Sequence, residues 1–267
     1  MAALEIGPAD RPIGVIFSHA NGFDARLYTS ILEPVAALTR ILAIDLRGHG
    51  RTSLPTVTEG RESWNDLRDD LLAVMTETDV EDVVLAGHSM GATSSLLAAV
   101  AAPGRVRSLV LFEPVILEGG EGGLTGDAAL AQGALRRKAV FADRAAAIAS
   151  YEGRPAFKSW TPRMLADYVA DGFRDLPDGT IELSCAPAWE YSNYVSQGHD
   201  PRQALRDLRR PVRILKAEIH STCRLTPAEA EALGGGRLRI ETVPNTTHFL
   251  PMERPDVVAG ALREAVG

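Results

Sequence analysis

A chain of 267 residues that is 45% hydrophobic and 24% charged has enough apolar sequence to bury one large core, so a single α/β architecture is the starting expectation. Its formal net charge of -7 argues against the broad attraction to nucleic-acid backbones or anionic membranes that a basic surface would give. The two cysteines, Cys185 and Cys223, suit a reducing compartment and suggest neither a disulfide framework nor a zinc site, and no metal or other cofactor is expected.

In chain order, Met1 to Arg11 carries neither the basic flank nor the apolar run of a signal peptide, and no later segment reaches the length of a membrane span. A cytoplasmic location is expected. Ile13–Ser18 and Arg40–Asp45 read as buried strands. Ser63 and Asp66 are spaced as an N-terminal capping pair for a helix that presents Leu67, Leu71, Val74 and Met75 on one face. Asp82–Ala86 and Val106–Phe112 are further strands, with the small apolar helix Gly91–Ala102 between them. From about Val115 to Asp207 the strand–helix rhythm stops. Helical patches at Ala128–Phe141 and Thr161–Phe173 follow a glycine-rich loop, Glu118–Gly126, and the segment is dense in aromatics: Phe141, Phe157, Trp160, Tyr168, Phe173, Trp189, Tyr191 and Tyr194. Strands resume at Val212–Ala217 and Leu238–Val243, and Pro255 opens a final helix.

This alternation predicts an α/β fold, a mostly parallel sheet with helices on both faces, with function at the C-terminal ends of the strands. Residues 1–114 and 208–267 form the expected core domain, and residues 115–207 a helical cap insertion whose aromatics roof an apolar pocket.

The sharpest chemical signal is Gly87-His88-Ser89-Met90-Gly91, lying directly between a strand and a helix. A serine at so tight a turn requires neighbours without side chains two residues either side, and both are glycine. The turn lifts the Ser89 hydroxyl above the sheet at a helix N-terminus. A hydroxyl needs a base, and of the six histidines His248 alone lies on the loop after the last strand. His19, His49 and His199 read as loop or packing residues, and the His88 side chain points away from that of Ser89. The reaction also creates an oxyanion, for which the backbone N–H of Met90 is one donor.

The chain thus resembles the α/β-hydrolase superfamily, specifically bacterial serine hydrolases with a helical cap. Asp45-Leu46-Arg47-Gly48-His49-Gly50-Arg51-Thr52-Ser53 is similar to a structural D-x-R-G-x-G-x-S loop of many members. Ser18-His19-Ala20-Asn21-Gly22-Phe23 resembles their H-G-x segment, which makes the Asn21 N–H the second oxyanion donor. Only about a dozen residues precede the first strong strand, so the family's N-terminal hairpin is missing or reduced to a stub. A second departure concerns the acid. Where the family has a segment similar to G-x-x-D, this chain has Ala217-Glu218-Ile219-His220. Glu113, after the strand Val106–Phe112, stands where haloalkane dehalogenases and a group of lactone hydrolases resemble donors of the acid, with Glu218 as the alternative.

The resemblance implies a serine hydrolase of a small carboxylic ester or lactone, acting through an acyl-enzyme without cofactor. Thioester or carbon–carbon bond hydrolysis by the same triad, or a ligand receptor built on the same scaffold, are the alternatives. The expected partner is a small, apolar, ester-like molecule met by Phe23, Trp160 and Trp189, with the cap arginines Arg136, Arg137 and Arg163 in reserve for a charged one. No nucleic-acid or membrane partner is expected, and monomer and homodimer both stay open.

Overall fold

Ten strands and eleven α-helices make up the computed structural model, which describes residues 1–117 and 124–267. In chain order they are β1 (Ala2–Ile6), β2 (Ile13–Ser18), α1 (Thr29–Leu32), β3 (Arg40–Asp45), α2 (Asn65–Glu77), β4 (Val83–His88), α3 (Met90–Ala101), β5 (Val106–Phe112) and α4 (Ala129–Leu135). There follow β6 (Val140–Phe141), α5 (Arg144–Tyr151), α6 (Pro162–Asp171), β7 (Phe173–Asp175), β8 (Ile181–Leu183), α7 (Pro187–Val195) and α8 (Pro201–Asp207). The chain closes with β9 (Val212–Ala217), α9 (Pro227–Gly234), β10 (Leu238–Val243), α10 (Leu250–Glu253) and α11 (Pro255–Val266).

The main sheet has seven strands in the order β1-β3-β2-β4-β5-β9-β10, all parallel except β1. Its central strands are apolar at nearly every position because both faces are covered. Phe17, Ala43, Val84, Ala86, Val110 and Phe112 bury on one face with α1 and α11, and Ile16, Ile44, Leu85, Leu109 and Leu111 on the other with α2, α3 and α8. Truncating one such leucine to alanine removes a full side chain from the core, at a cost of about 2–5 kcal/mol.

The stub expected at the N-terminus is the single strand β1. It lies antiparallel to β3, with Ala2 opposite Asp45 and Ile6 opposite Ile41, so it forms no hairpin with β2. Helix α2 starts at Asn65 with no side-chain cap, contrary to the capping pair expected of Ser63 and Asp66. Arg61 takes the Asp66 carboxylate instead, through bonds of 2.9 and 3.0 Å. The expected apolar face is buried as read at Leu67, Leu71 and Met75.

Between β5 and β9 the helical patches are shorter than the sequence suggested. Helix α4 ends at Leu135, and Val140–Phe141 instead pairs with β8; α6 ends at Asp171, and Phe173 opens β7. Together β6, β8 and β7 form a small antiparallel sheet, closed by edge-to-face packing of Phe141 on Phe173 at 5.6 Å. Strands of two or three residues offer too few alternations to be read from sequence. Thr161 does cap α6, accepting the Met164 N–H at 3.2 Å. Residues 118–123 of the glycine-rich loop Glu118–Gly126 lie outside the described residues.

The strand order positions the site. The chain passes from β2 to β3 on one side and returns to β4 on the other, so the loops after β2 and β4 diverge and leave a crevice at the C-terminal ends. In register, Ser18 lies beside Gly87, His88 beside Phe112, and Phe112 beside Leu215. The residues that follow each strand therefore meet along one edge.

Candidate active site

Ser89 sits between β4 and α3 with φ 55° and ψ -119°, a left-handed conformation unusual for a residue with a side chain. The turn is so tight that a Cβ on Gly91 would lie 2.3 Å from the Ser18 carbonyl oxygen, and one on Gly87 2.7 Å from the same atom. Backbone packing thus dictates both glycines. The Ser89 N–H is held by the Phe112 carbonyl at 3.0 Å, and its Oγ faces His248.

His248 lies between β10 and α10, on a turn fixed by Glu253, whose carboxylate receives the Thr247 N–H at 2.6 Å and hydroxyl at 2.7 Å. Its Nε2 is 3.0 Å from Ser89 Oγ, and its Nδ1 is 3.1 Å from Glu113 Oε2. A carboxylate on Nδ1 holds the proton there and leaves Nε2 to accept from the serine.

Glu113 follows β5 directly, with φ 51° and no exposed surface. Its Oε1 accepts the Ala217 N–H and the Ser221 hydroxyl, each at 2.5 Å, and its Oε2 accepts the Thr222 N–H at 3.1 Å. Burial pushes its pKa upward, but the His248 hydrogen bond and charge, with Ser221 and Ala217, outweigh burial and hold it below the usual carboxylate value. Thr222 Oγ1 donates to the Glu113 carbonyl at 3.0 Å and lies 3.3 Å from His248 Nδ1. Glu218, the alternative acid, is exposed and receives the Asn245 N–H at 2.9 Å, with no hydrogen bond to His248 among the described residues. His220 lines the cavity wall at φ 52°, and the two hydroxyl residues after it cradle the glutamate. The sequence reading passed over that Ser221-Thr222 pair; its position just after β9 was the available signal.

The loop after β2 is held by buried histidines. His19 Nδ1 donates to the Ala20 carbonyl at 2.8 Å, which fixes the Ala20–Asn21 peptide and therefore the direction of the Asn21 N–H. His19 Nε2 accepts the Leu46 N–H, and His49 Nε2 accepts the Gly22 N–H, both at 3.0 Å. The Asn21 side chain donates to the Glu190 carbonyl at 3.0 Å and accepts from Asn193 at 2.8 Å. Asn21 and Met90 both line the cavity with Ser89.

Burial lowers the pKa of His19 and His49, and it brings His88 down to about 3, helped by the neighbouring charge of His248. An unfolded histidine titrates near about 6.5, so below that pH the unfolded chain binds more protons and stability falls as pH drops. Buried carboxyls raised by burial, Asp24 among them, offset part of this. The urea midpoint is expected to be lower at about pH 5 than at about pH 8. Equal midpoints would mean that the raised carboxyls cancel the histidine contribution, against this expectation.

The cavity above Ser89 has a volume of about 530 Å³ and walls that are mainly apolar. Phe23 lines it as expected, with Tyr151, Phe157, Tyr168, Tyr194 and Phe249. Trp160 and Trp189 do not. Trp160 stands behind the wall, packed edge-on against Phe23 at 5.3 Å and Phe157 at 4.8 Å. Trp189 is buried toward the β3 loop, where its Nε1 donates to the Arg47 carbonyl at 2.8 Å and Arg61 stacks on its ring. The buried indole N–H of Trp189 has its partner on that side, whereas the buried Nε1 of Trp160 has none among the described residues.

Of the three arginines held in reserve, Arg137 lines the cavity, paired with Glu190 at 2.5 Å and bonded to the Tyr168 hydroxyl at 2.9 Å. Tyr168, kept protonated by burial, donates in turn to the Gly22 carbonyl at 3.1 Å. Arg163 pairs with Glu33 at 2.6 Å, and the exposed Arg136 bonds Gln132 at 3.3 Å. Among the described residues, no cluster of three or more His, Cys, Asp or Glu side chains could hold a metal ion, and no helix is long and apolar enough to cross a membrane.

A sequence profile of the alpha/beta hydrolase family matches residues 15–261. The chain belongs to that family. Over 98 residues it is 35% identical to the dihydrolipoyllysine-residue acetyltransferase component of the acetoin cleaving system of Pseudomonas putida, covering 37% of this chain and 26% of that protein. The chain therefore spans about a quarter of that relative's length. It is 27% identical over 255 residues to a 2-(acetamidomethylene)succinate hydrolase of Mesorhizobium japonicum, covering 93% of this chain and 86% of that one. The solved structure of an E-2-(acetamidomethylene)succinate hydrolase superposes with a TM-score of 0.81 at 23% identity, covering 98% of this chain and 93% of the other, a likeness of fold.

Proposed function

We propose that the chain is a serine hydrolase that cleaves a small carboxylic ester or lactone through an acyl-enzyme. The observation that carries this reading is the unbroken line Ser89–His248–Glu113, with links of 3.0 and 3.1 Å, opening on an apolar cavity of about 530 Å³. Ser89 Oγ attacks the carbonyl carbon as its proton passes to His248 Nε2, and Glu113 stabilises the imidazolium that forms. The N–H groups of Asn21 and Met90 receive the negative charge on the carbonyl oxygen. His248 then protonates the departing alcohol, and water attacks the acyl-enzyme with the same histidine as base.

In this reading residues 1–114 and 208–267 are the catalytic core, and residues 115–207 are a cap that roofs the cavity and selects the acyl group. The substrate is an uncharged, apolar small molecule. Of the two arginines lining the cavity, Arg137 is already neutralised by Glu190, which leaves the exposed Arg154, stacked on Tyr151, to meet a dicarboxylate such as the name of the Mesorhizobium relative describes. Burying a second carboxylate beside that pair is costly.

An active-site-directed fluorophosphonate should label Ser89, and aryl esters of medium-length fatty acids should be cleaved with kcat/KM at least about tenfold above the matching monoesters of dicarboxylic acids. Labelling at another serine would overturn the nucleophile. A preference for the charged esters would overturn the neutral pocket and point to Arg137 or Arg154.

A further inference from the structure

We infer that Tyr28 and His88 are positioning residues for the proposed reaction, forming a buried hydrogen-bond relay that ties the oxyanion loop to the backbone of the base. The inference rests on the serine-hydrolase reading for its kinetic consequence and on geometry alone for the relay.

The direction of every bond in the relay is determined. His88 Nε2 lies 2.7 Å from the His248 carbonyl oxygen, which can only accept, so the proton of the neutral ring is on Nε2. Nδ1 is then an acceptor, and the Tyr28 hydroxyl, 2.7 Å away, must donate to it. With its proton committed, the Tyr28 oxygen accepts the Ala20 N–H at 3.3 Å. Ala20 precedes the proposed oxyanion donor Asn21, and His248 is the proposed base.

No sheet ladder can do this work. Strand β2, which leads into the oxyanion loop, and β10, which leads into the His248 loop, are separated in the sheet by β4, β5 and β9. At about 4.8 Å per strand, four spacings put their axes roughly 19 Å apart. The loops that follow these strands converge over the sheet edge, and the relay joins them there, with Tyr28 and His88 wholly buried. The His88 and His248 rings lie 5.1 Å apart, so the elbow residue touches the base by packing as well as through its carbonyl. His88 never reaches the substrate: its ring lies on the far side of the elbow, and it acts only through where it holds the His248 peptide. Without it the His248 carbonyl loses its bond, and the loop is held on the other side of His248, by Glu253 at Thr247, the Ile219 N–H at Thr246 and Glu218 at Asn245.

Two substitutions isolate the link. In His88→Gln the amide nitrogen overlays Nε2 and keeps the donor to the His248 carbonyl; in His88→Leu the volume is similar but the donor is gone. His88→Leu is expected to lower kcat about thirtyfold and slow fluorophosphonate labelling of Ser89 in parallel, with KM within about twofold, and His88→Gln to recover kcat to within about fivefold of the parent. Rates are taken per folded molecule, from the circular-dichroism unfolding curve. A His88→Leu protein with full kcat, a rise in KM in step with any loss, or a glutamine no better than leucine would each overturn the proposal. The unsubstituted chain supplies a test that needs neither activity nor mutant folding. Nitrogen-15 spectra at neutral pH should show His88 as the Nε2–H tautomer, and the Nδ1–H tautomer would refute the relay. If the parent neither labels at Ser89 nor turns over esters, the hydrolase reading fails while those spectra still judge the relay.

Discussion

Ser89→Ala is expected to lower ester turnover by about four to six orders of magnitude, to the rate left by binding and oxyanion contacts alone. The Oγ atom has one partner, His248 Nε2, and does not cap α3, so its loss removes a 3.0 Å hydrogen bond and little packing. Alanine bears the same strain at φ 55° as serine does, so the fold should survive with a stability change within about 1 kcal/mol. Steady-state rates on the folded variant, with mass spectrometry of the phosphonate adduct, decide the matter. Undiminished turnover would remove Ser89 from the mechanism.

Glu113→Gln is expected to lower kcat by about two to four orders of magnitude with little effect on KM. The size of the effect follows from the cradle. Every contact on the carboxylate is a donor: Ala217 N–H and Ser221 O–H on one oxygen, Thr222 N–H and His248 on the other. An amide must place its NH₂ on one side. Toward Ser221 it meets a hydroxyl that can rotate to accept, although the Ala217 N–H is left unpaired. Toward His248 it donates to Nδ1, moves the imidazole proton to Nε2 and blocks the serine proton from leaving. Either way the negative charge is lost, and an unpaired buried donor costs a further 1–3 kcal/mol or so of stability. Glu218→Gln should leave kcat within about twofold, because that carboxylate holds only the Asn245 N–H near the surface. A crippled Glu218→Gln beside an active Glu113→Gln would assign the acid to the segment after β9.

Much of this was readable because sterics and chemistry leave few options. Gly87 and Gly91 announce a backbone approach that no side chain survives, and Ser89 between them could be picked out before any fold was drawn. Glu113 could be proposed, on the family resemblance, from its place after a strand once His220 had taken the usual acid position. What stayed hidden depends on side-chain direction in irregular or very short segments. β1, Ala2-Ala3-Leu4-Glu5-Ile6, alternates in burial but carries only one polar residue in its five positions, and β6 to β8 are shorter still. Trp160 and Trp189 were expected at the pocket on size and composition, yet one is a backing layer and the other answers an indole hydrogen bond. The Ser63 and Asp66 spacing promised a cap, but a guanidinium five residues before Asp66 competed for the carboxylate and won. Periodicity carries no information about such competition. Nor does it show that the neutral histidines at positions 19, 49 and 88 brace loops from beneath.

The junction between β5 and the segment that follows has a consequence for how this protein can change over evolutionary time. Directly after Glu113 the chain is pinned: Val115 N–H bonds the Thr93 hydroxyl at 2.9 Å, and Ile116 pairs in parallel with Cys223, giving its N–H to Thr222 and receiving that of Arg224. A rearrangement beyond residue 117 must pull through these bonds before it can tilt the carboxylate. The junction shields Glu113 in this way, whereas the loop after β2 stays coupled to residues 115–207 through Asn21 on Glu190 and Asn193 and through Tyr168 on the Gly22 carbonyl. On the proposed reading, lineages can reshape the cavity by exchanging Phe157 or Leu130, whose apolar side chains carry no hydrogen bond to that loop, and leave the carboxylate of Glu113 where it stands.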